Sequence, residues 1–171
     1  RNHYGKRAAF SCVLKVVYED GSEETFGTDP EWKGTYSPVL FSEIYDGETY
    51  DARMEIDGWS ENGCDDSGWK SVSEVPFDTS VLSPQSGCRV RVIDRIPAQR
   101  LFRTPQGDTV IDFGQNMTGW IEFRVKGKAG DKVVLNCFEV LDADGNVYLD
   151  NLRTAKETVT YICRDEKEAV F

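Results

Sequence analysis

The 171-residue chain carries 39% hydrophobic, 29% charged and 12% aromatic side chains, a globular composition, and it has no run of 18 apolar residues that would cross a bilayer as a helix. Thirty acidic against 20 basic residues leave a net charge of -10, which repels the backbone of nucleic acid, and no basic patch offsets it. The expected partners include neither nucleic acid nor membrane.

Strand signals come first along the chain. Phe10, Cys12, Leu14, Val16 and Tyr18 alternate with Ser11, Val13, Lys15, Val17 and Glu19. That period of two predicts a half-buried strand, and Asp20-Gly21 supplies a hairpin turn after it. Over 76–87 no periodicity survives, Pro and Gly punctuate the chain, and a boundary is expected. The predicted units are 1–80 and 81–171. Charge divides with them: the first holds 7 basic and 17 acidic residues, the second 13 of each. A strand over 109–113 breaks at Gly114; Ile121, Phe123 and Val125 alternate with charged residues; Ala129-Gly130-Asp131 turns the chain into a β-rich run over 132–141; and Asp144-Gly145 closes a further hairpin. Only 151–157 has helical character, and it is too short to stand alone. From 158 to 163 the pattern returns to alternating β-formers. The predicted fold is all-β: two antiparallel β-sandwich-like units of jelly-roll type with little or no helix.

The chain has one histidine, His3, two residues from its start, so a Ser-His-Asp triad or Cys-His pair would rest on a terminal side chain. Five cysteines (Cys12, Cys64, Cys88, Cys137, Cys163) lie 24 to 52 residues apart without a C-x2-C pair, which argues against a metal-thiolate site. Reduced thiols are expected, with Cys12 and Cys137 as small core residues and Cys64 and Cys88 in loops, open to reaction or pairing. The sequence has no initiator Met, secretory leader or lipidation motif; its ends read as cut, and the compartment, whether periplasmic, extracellular or cytoplasmic, stays open.

Chemistry-bearing residues are densest in Ile44-Tyr45-Asp46-Gly47-Glu48-Thr49-Tyr50-Asp51-Ala52-Arg53, followed by Gly58-Trp59 and Asp65-Asp66-Ser67-Gly68-Trp69. Ring faces stack on the C–H surfaces of sugars and carboxylates accept paired hydroxyls, so Tyr45, Asp46, Glu48, Tyr50, Asp51, Arg53 and Trp59 form a candidate ligand-binding set. The same side chains would also brace a loop, Arg53 pairing with Asp51 or Glu48, and the residues alone favour bracing. No D-x-D-x-D-G series with a terminal glutamate supports calcium, and 142–146 reads as a hairpin turn, so no cofactor or metal is expected. Asp112-Phe113-Gly114-Gln115-Asn116 is not a phosphate cradle; its two amides are expected to cap loop backbone.

These motifs, with Ser42-Glu43 before the first, Val110-Ile111 before and Met117-Thr118-Gly119-Trp120 after D-F-G-Q-N, Phe138-Glu139-Val140-Leu141 and Asn151-Leu152-Arg153-Thr154-Ala155, closely resemble the bacterial α-L-rhamnosidases, an inverting glycoside hydrolase family. The resemblance covers nearly the whole chain, in the family's order. It implies an amino-terminal β-sandwich similar to carbohydrate-binding modules, a second sandwich bearing D-F-G-Q-N, and catalysis by an (α/α)6 barrel further along. This chain would begin inside the first sandwich and stop inside the second. The barrel's general acid and base then have no counterpart here, no catalytic residue carries over, and the expectation is a fragment that is inactive alone. Some relatives bind rhamnose at the first sandwich with calcium, on a segment that by resemblance precedes Arg1. The implied role is an accessory portion of an enzyme that hydrolyses terminal α-L-rhamnose, serving architecture and sugar contact, with the barrel of the same polypeptide and a rhamnose-containing glycan as partners. A free-standing lectin-like module is the alternative. Unpaired sheet edges are expected to drive some self-association.

Overall fold

The computed structural model describes residues 9–171, and His3 lies outside them. Among the described residues there are eight strands of four or five residues: β1 (Val13–Val17), β2 (Glu23–Gly27), β3 (Val39–Glu43), β4 (Gly47–Asp51), β5 (Arg100–Arg103), β6 (Thr109–Asp112), β7 (Lys132–Asn136) and β8 (Thr158–Ile162). Two-residue bridges and three single 3-10 turns complete the secondary structure, so the fold is all-β.

The chain forms two compact units, Arg1–Tyr36 with Gly58–Gly87, and Ser37–Asp57 with Cys88–Phe171. Each unit draws on two stretches of the sequence. Residues 37–57 fold with the carboxyl-terminal half because β4 pairs in parallel with β8, Gly47 opposite Thr158 and Asp51 opposite Ile162. Periodicity marks a strand without naming its partner, so this long-range pairing has no local signature.

In the first unit β1 and β2 form the expected antiparallel hairpin, Val13 opposite Gly27 and Val17 opposite Glu23. Asp20 closes its turn: one carboxylate oxygen accepts hydrogen bonds from the Ser22 hydroxyl (2.6 Å) and amide (2.9 Å), which hold the carboxyl below its usual range. The expected burial is not met. Leu14 and its cross-strand partner Phe26 are 57% and 49% exposed, and Cys12 is exposed too, because a two-stranded ribbon has no layer of its own to cover it. A short pairing of Lys33–Gly34 with Lys70–Ser71 and a Lys33–Asp66 ion pair at 2.8 Å tie the rest of this unit together.

The second unit is built on a four-stranded sheet in the order β7-β8-β4-β3, antiparallel except for β8-β4. Successive side chains alternate between its faces. Val133, Tyr161 and Tyr50 form one row, and on that face the core gathers: Tyr161 is 4% exposed, its ring stacked on Tyr50 at 5.9 Å, edge-on to Phe123 at 6.1 Å and tilted against Phe171 at 5.1 Å. Phe123 and Phe171 are clamped by reciprocal backbone hydrogen bonds of 2.8 and 2.9 Å, which continue the bridge between Arg124–Val125 and Ala169–Val170. The strand expected over 121–126 is therefore only a two-residue bridge, and the run over 132–141 divides into β7 and a bridge of Val140–Leu141 to Val147–Tyr148. Asp142 closes the turn between those last two, as the Asp144-Gly145 signal predicts, accepting from the Asp144 and Asn146 amides at 3.0 and 2.8 Å. β5 and β6 pair as a ribbon with Val110 buried on one side and the Leu101–Ile111 pair exposed on the other.

Candidate functional site

The seven candidate side chains run almost continuously in sequence, yet the pleat separates them. Tyr45 and Asp46 occupy the turn between β3 and β4, where their amides donate to a Glu43 carboxylate oxygen at 2.7 and 3.0 Å. Their carbonyls accept in turn: Tyr45 from the Lys156 and Glu157 amides, each at 3.0 Å, and Asp46 from Thr158 at 3.1 Å. The Tyr45 ring projects into solvent at 66% exposure. Along β4, Glu48 and Tyr50 share the core face, whereas Asp51 lies on the other. Trp59 belongs to the first unit, where it is 66% exposed.

Of the two pairings open to Arg53, the structure shows the one with Asp51. Asp51 ends β4, and its carboxylate caps the 3-10 turn Ala52–Met54 by accepting from the Arg53 amide at 3.1 Å. It also takes a two-pronged contact from the same guanidinium, Nε at 2.8 Å and Nη2 at 2.7 Å. Asp51 is buried, and these bonds hold its carboxyl below the usual carboxylate range. The sign of the pH dependence follows: a depressed folded pKa adds stability that is fully present above the unfolded value, about 3.9, and is lost as pH falls through the folded one. The Asp51→Asn variant is expected to lose its share of the acid-side stability. Thermal midpoints followed from pH 6 to pH 3 should draw closer to those of the parent chain toward the acid end, and curves that stay parallel throughout would contradict this.

A second cluster, which sequence reasoning missed, surrounds Arg164 in the same unit. Its guanidinium grips Asp57 through Nη1 at 2.6 Å and Nη2 at 2.8 Å and lies 3.6 Å from Glu55, which accepts the Tyr50 hydroxyl at 2.9 Å. Arg164 draws the Asp57 carboxyl down, and burial together with the Glu55 bond pushes Tyr50 up to about 12. Glu55, Asp57 and Arg164 border a shallow cleft of about 360 Å³ shared with Tyr161, Lys167 and Glu168. Asp57 and Arg164 stand 107 residues apart, and no local pattern announces such a pair.

The D-F-G-Q-N segment ends β6. Asp112, rather than the following amides, caps the break: it accepts the Gly114 amide at 2.7 Å and pairs with Arg100 at 3.0 Å, while Gln115 and Asn116 are exposed. The five thiols are free; Cys163 is buried, and burial raises its pKa and that of Cys137, which suits structural rather than reactive thiols. Among the described residues no three Asp, Glu, His or Cys side chains converge to hold a metal ion.

Residues 1–94 match the profile of the α-L-rhamnosidase N-terminal domain, and residues 102–171 match that of the bacterial α-L-rhamnosidase concanavalin-like domain. The chain belongs to the α-L-rhamnosidase family. An α-L-rhamnosidase from Streptomyces avermitilis is 37% identical over 171 residues, 99% of this chain and 17% of the relative. One from Formosa agariphila is 36% identical over 91% of this chain and 17% of its own length. Among solved structures, the native α-L-rhamnosidase of Aspergillus terreus superposes with a TM-score of 0.84 at 36% identity, covering 93% of this chain and 18% of that one. The Streptomyces avermitilis enzyme complexed with L-rhamnose gives 0.82 at 37% identity, over 93% and 16%. The chain thus spans about a sixth of the length of the rhamnosidases it matches.

Proposed function

We propose that this chain is a non-catalytic accessory portion of an α-L-rhamnosidase that removes terminal α-L-rhamnose from glycans, and that its contribution is architectural. The observation that carries the reading is the alignment of nearly the whole chain with about a sixth of several rhamnosidases. The chemistry of the carboxylates supports it. An inverting glycosidase needs one carboxyl raised in pKa to act as proton donor, opposite a second that activates water. Among the described residues the displaced carboxyls, including Asp51, Asp57 and Asp112, all move downward, held by guanidinium groups, serine side chains or backbone amides.

The exposed Trp59 and Tyr45 rings favour a second reading, that of a lectin-like module contacting rhamnose, the sugar bound in the Streptomyces avermitilis complex. Titration of the purified chain with L-rhamnose by calorimetry, with calcium and then with chelator, separates the two. No saturable heat is expected in either condition, and no turnover of an aryl rhamnoside. Saturable binding that disappears in Trp59→Ala would establish the lectin-like role, and turnover by the chain alone would overturn the non-catalytic reading.

A further inference from the structure

The loop over 58–69 carries a reactive pair of residues that none of the roles above uses. Asn62 is the one asparagine of the chain followed by glycine, Gly63. Both residues are exposed in a turn, flanked by backbone hydrogen bonds from the Glu61 amide to the Gly58 carbonyl at 2.9 Å and from the Cys64 amide to the Glu61 carbonyl at 3.3 Å. Gly63 adopts φ +86°, and no atom lies within 4 Å of the place a Cβ would take, so nothing screens its backbone nitrogen. Neither group is tied down: among the described residues the Gly63 amide donates to no acceptor, and the Asn62 side chain makes no hydrogen bond. A short polar side chain of this kind reaches the backbone next to it.

Elsewhere the same approach is blocked. Gly21 and Gly145, which follow Asp20 and Asp144, commit their amides to the Tyr18 and Asp142 carbonyls at 3.0 and 3.1 Å. Gly47, after Asp46, is pinned against the Thr158 backbone, and Asp57, before Gly58, is gripped by Arg164. Asn136, Asn146 and Asn151 engage their side chains with Thr158, Gln106 and Glu139. Asn116 is exposed, but Met117 follows it and crowds the attacking nitrogen.

We propose that Asn62-Gly63 is a site of spontaneous deamidation, at which the folded chain modifies itself with water as the only co-reactant. The Gly63 nitrogen attacks the Asn62 side-chain carbonyl carbon and closes a succinimide ring; the Cγ–Nδ2 bond breaks, and that nitrogen leaves as ammonia with the Gly63 amide proton. Water then opens the ring. Attack at the side-chain carbonyl gives aspartate, and attack at the main-chain carbonyl gives isoaspartate, in which the chain runs on through the former side chain. Either product adds one negative charge beside Glu61, Asp65 and Asp66 in a chain already at -10. Isoaspartate also lengthens the backbone by one carbon inside the turn that the Cys64–Glu61 bond closes, so the loop bearing Trp59 and Asp66, the partner of Lys33, loosens as the protein ages.

The test incubates the purified 171-residue chain at pH 8 and at pH 5 and follows it by isoelectric focusing, with peptide mapping at every asparagine. An acidic form is expected to accumulate at pH 8, at least about tenfold faster than at pH 5 because the attacking amide must lose its proton, and to map to the tryptic peptide Met54–Lys70 with isoaspartate detected by enzymatic methylation. Asn62→Gln, whose ring would need six members, is expected to slow its appearance at least about tenfold. The chain unfolded in guanidinium chloride gives the rate of the unrestrained pair, and the folded chain is expected to react within about fivefold of it. A folded chain slower than that margin, an acidic form that maps to another asparagine, or one that persists at the parent rate in Asn62→Gln would overturn the proposal.

Discussion

Tyr161→Ala is expected to abolish the cooperative unfolding transition of the second unit. Tyr161 sits in the interior of the four-stranded sheet, is almost fully buried, and its ring meets those of Tyr50, Phe123 and Phe171. Removing a large buried ring costs about 3–5 kcal/mol in lost transfer energy and cavity formation. Whole domains hold only about 5–15 kcal/mol, and a unit with this much bare apolar surface belongs near the lower end of that range. Tyr161→Phe keeps the ring and serves as the control. Urea titration followed by near-ultraviolet circular dichroism should retain a sigmoidal transition for the phenylalanine variant and lose it for alanine; equal midpoints would show that the ring cluster does not hold the unit together.

Gly47→Ala should be nearly as damaging, for a backbone reason. Gly47 opens β4 with φ +95°, a region that side chains avoid, and an added Cβ would fall 2.2 Å from the Thr158 carbonyl oxygen and 2.7 Å from its amide nitrogen. Neither backbone atom can retreat without breaking the β4–β8 pairing that starts at these two residues. Gly21→Ala is the matched comparison: φ is +82° and no atom within 4 Å meets the new methyl. The Gly21 variant should lose about 1 kcal/mol from conformation alone, and the Gly47 variant more than about 3 kcal/mol. Differential scanning calorimetry on both decides the matter, since similar losses would mean that the close approach to Thr158 relaxes freely.

Local chemistry was legible in the sequence where one turn or one alternation decides the structure. The Asp20-Gly21 and Asp144-Gly145 turns, the strand before Gly114 and the strand from Thr158 stand where the pattern put them. Partners were not legible. The alternation of Ile121, Phe123 and Val125 reads as a full strand, but its register with 169–170 is a tertiary choice that supports only a two-residue bridge. The same limit applies to the side chains of the candidate set. Its residues are neighbours in sequence, and neighbours on a strand point to opposite faces, so Tyr50 joins the core while Asp51 turns away to anchor Arg53. The cluster that does converge, Glu55, Asp57 and Arg164, draws on segments more than a hundred residues apart and has no motif to find.

The parallel pairing of β4 with β8 also sets a timetable. Gly47 and Thr158 are 111 residues apart, and ribosomes add roughly 5–20 residues per second, so β4 is synthesised some 5–20 s before the strand that completes its sheet. Through that interval β3 and β4 exist only as a hairpin, which is marginal by itself in water and carries Phe41 and Tyr50 with neither face covered. The nascent protein must therefore protect this ribbon, by chaperone contact or by slow commitment to structure, before the second unit can close around it.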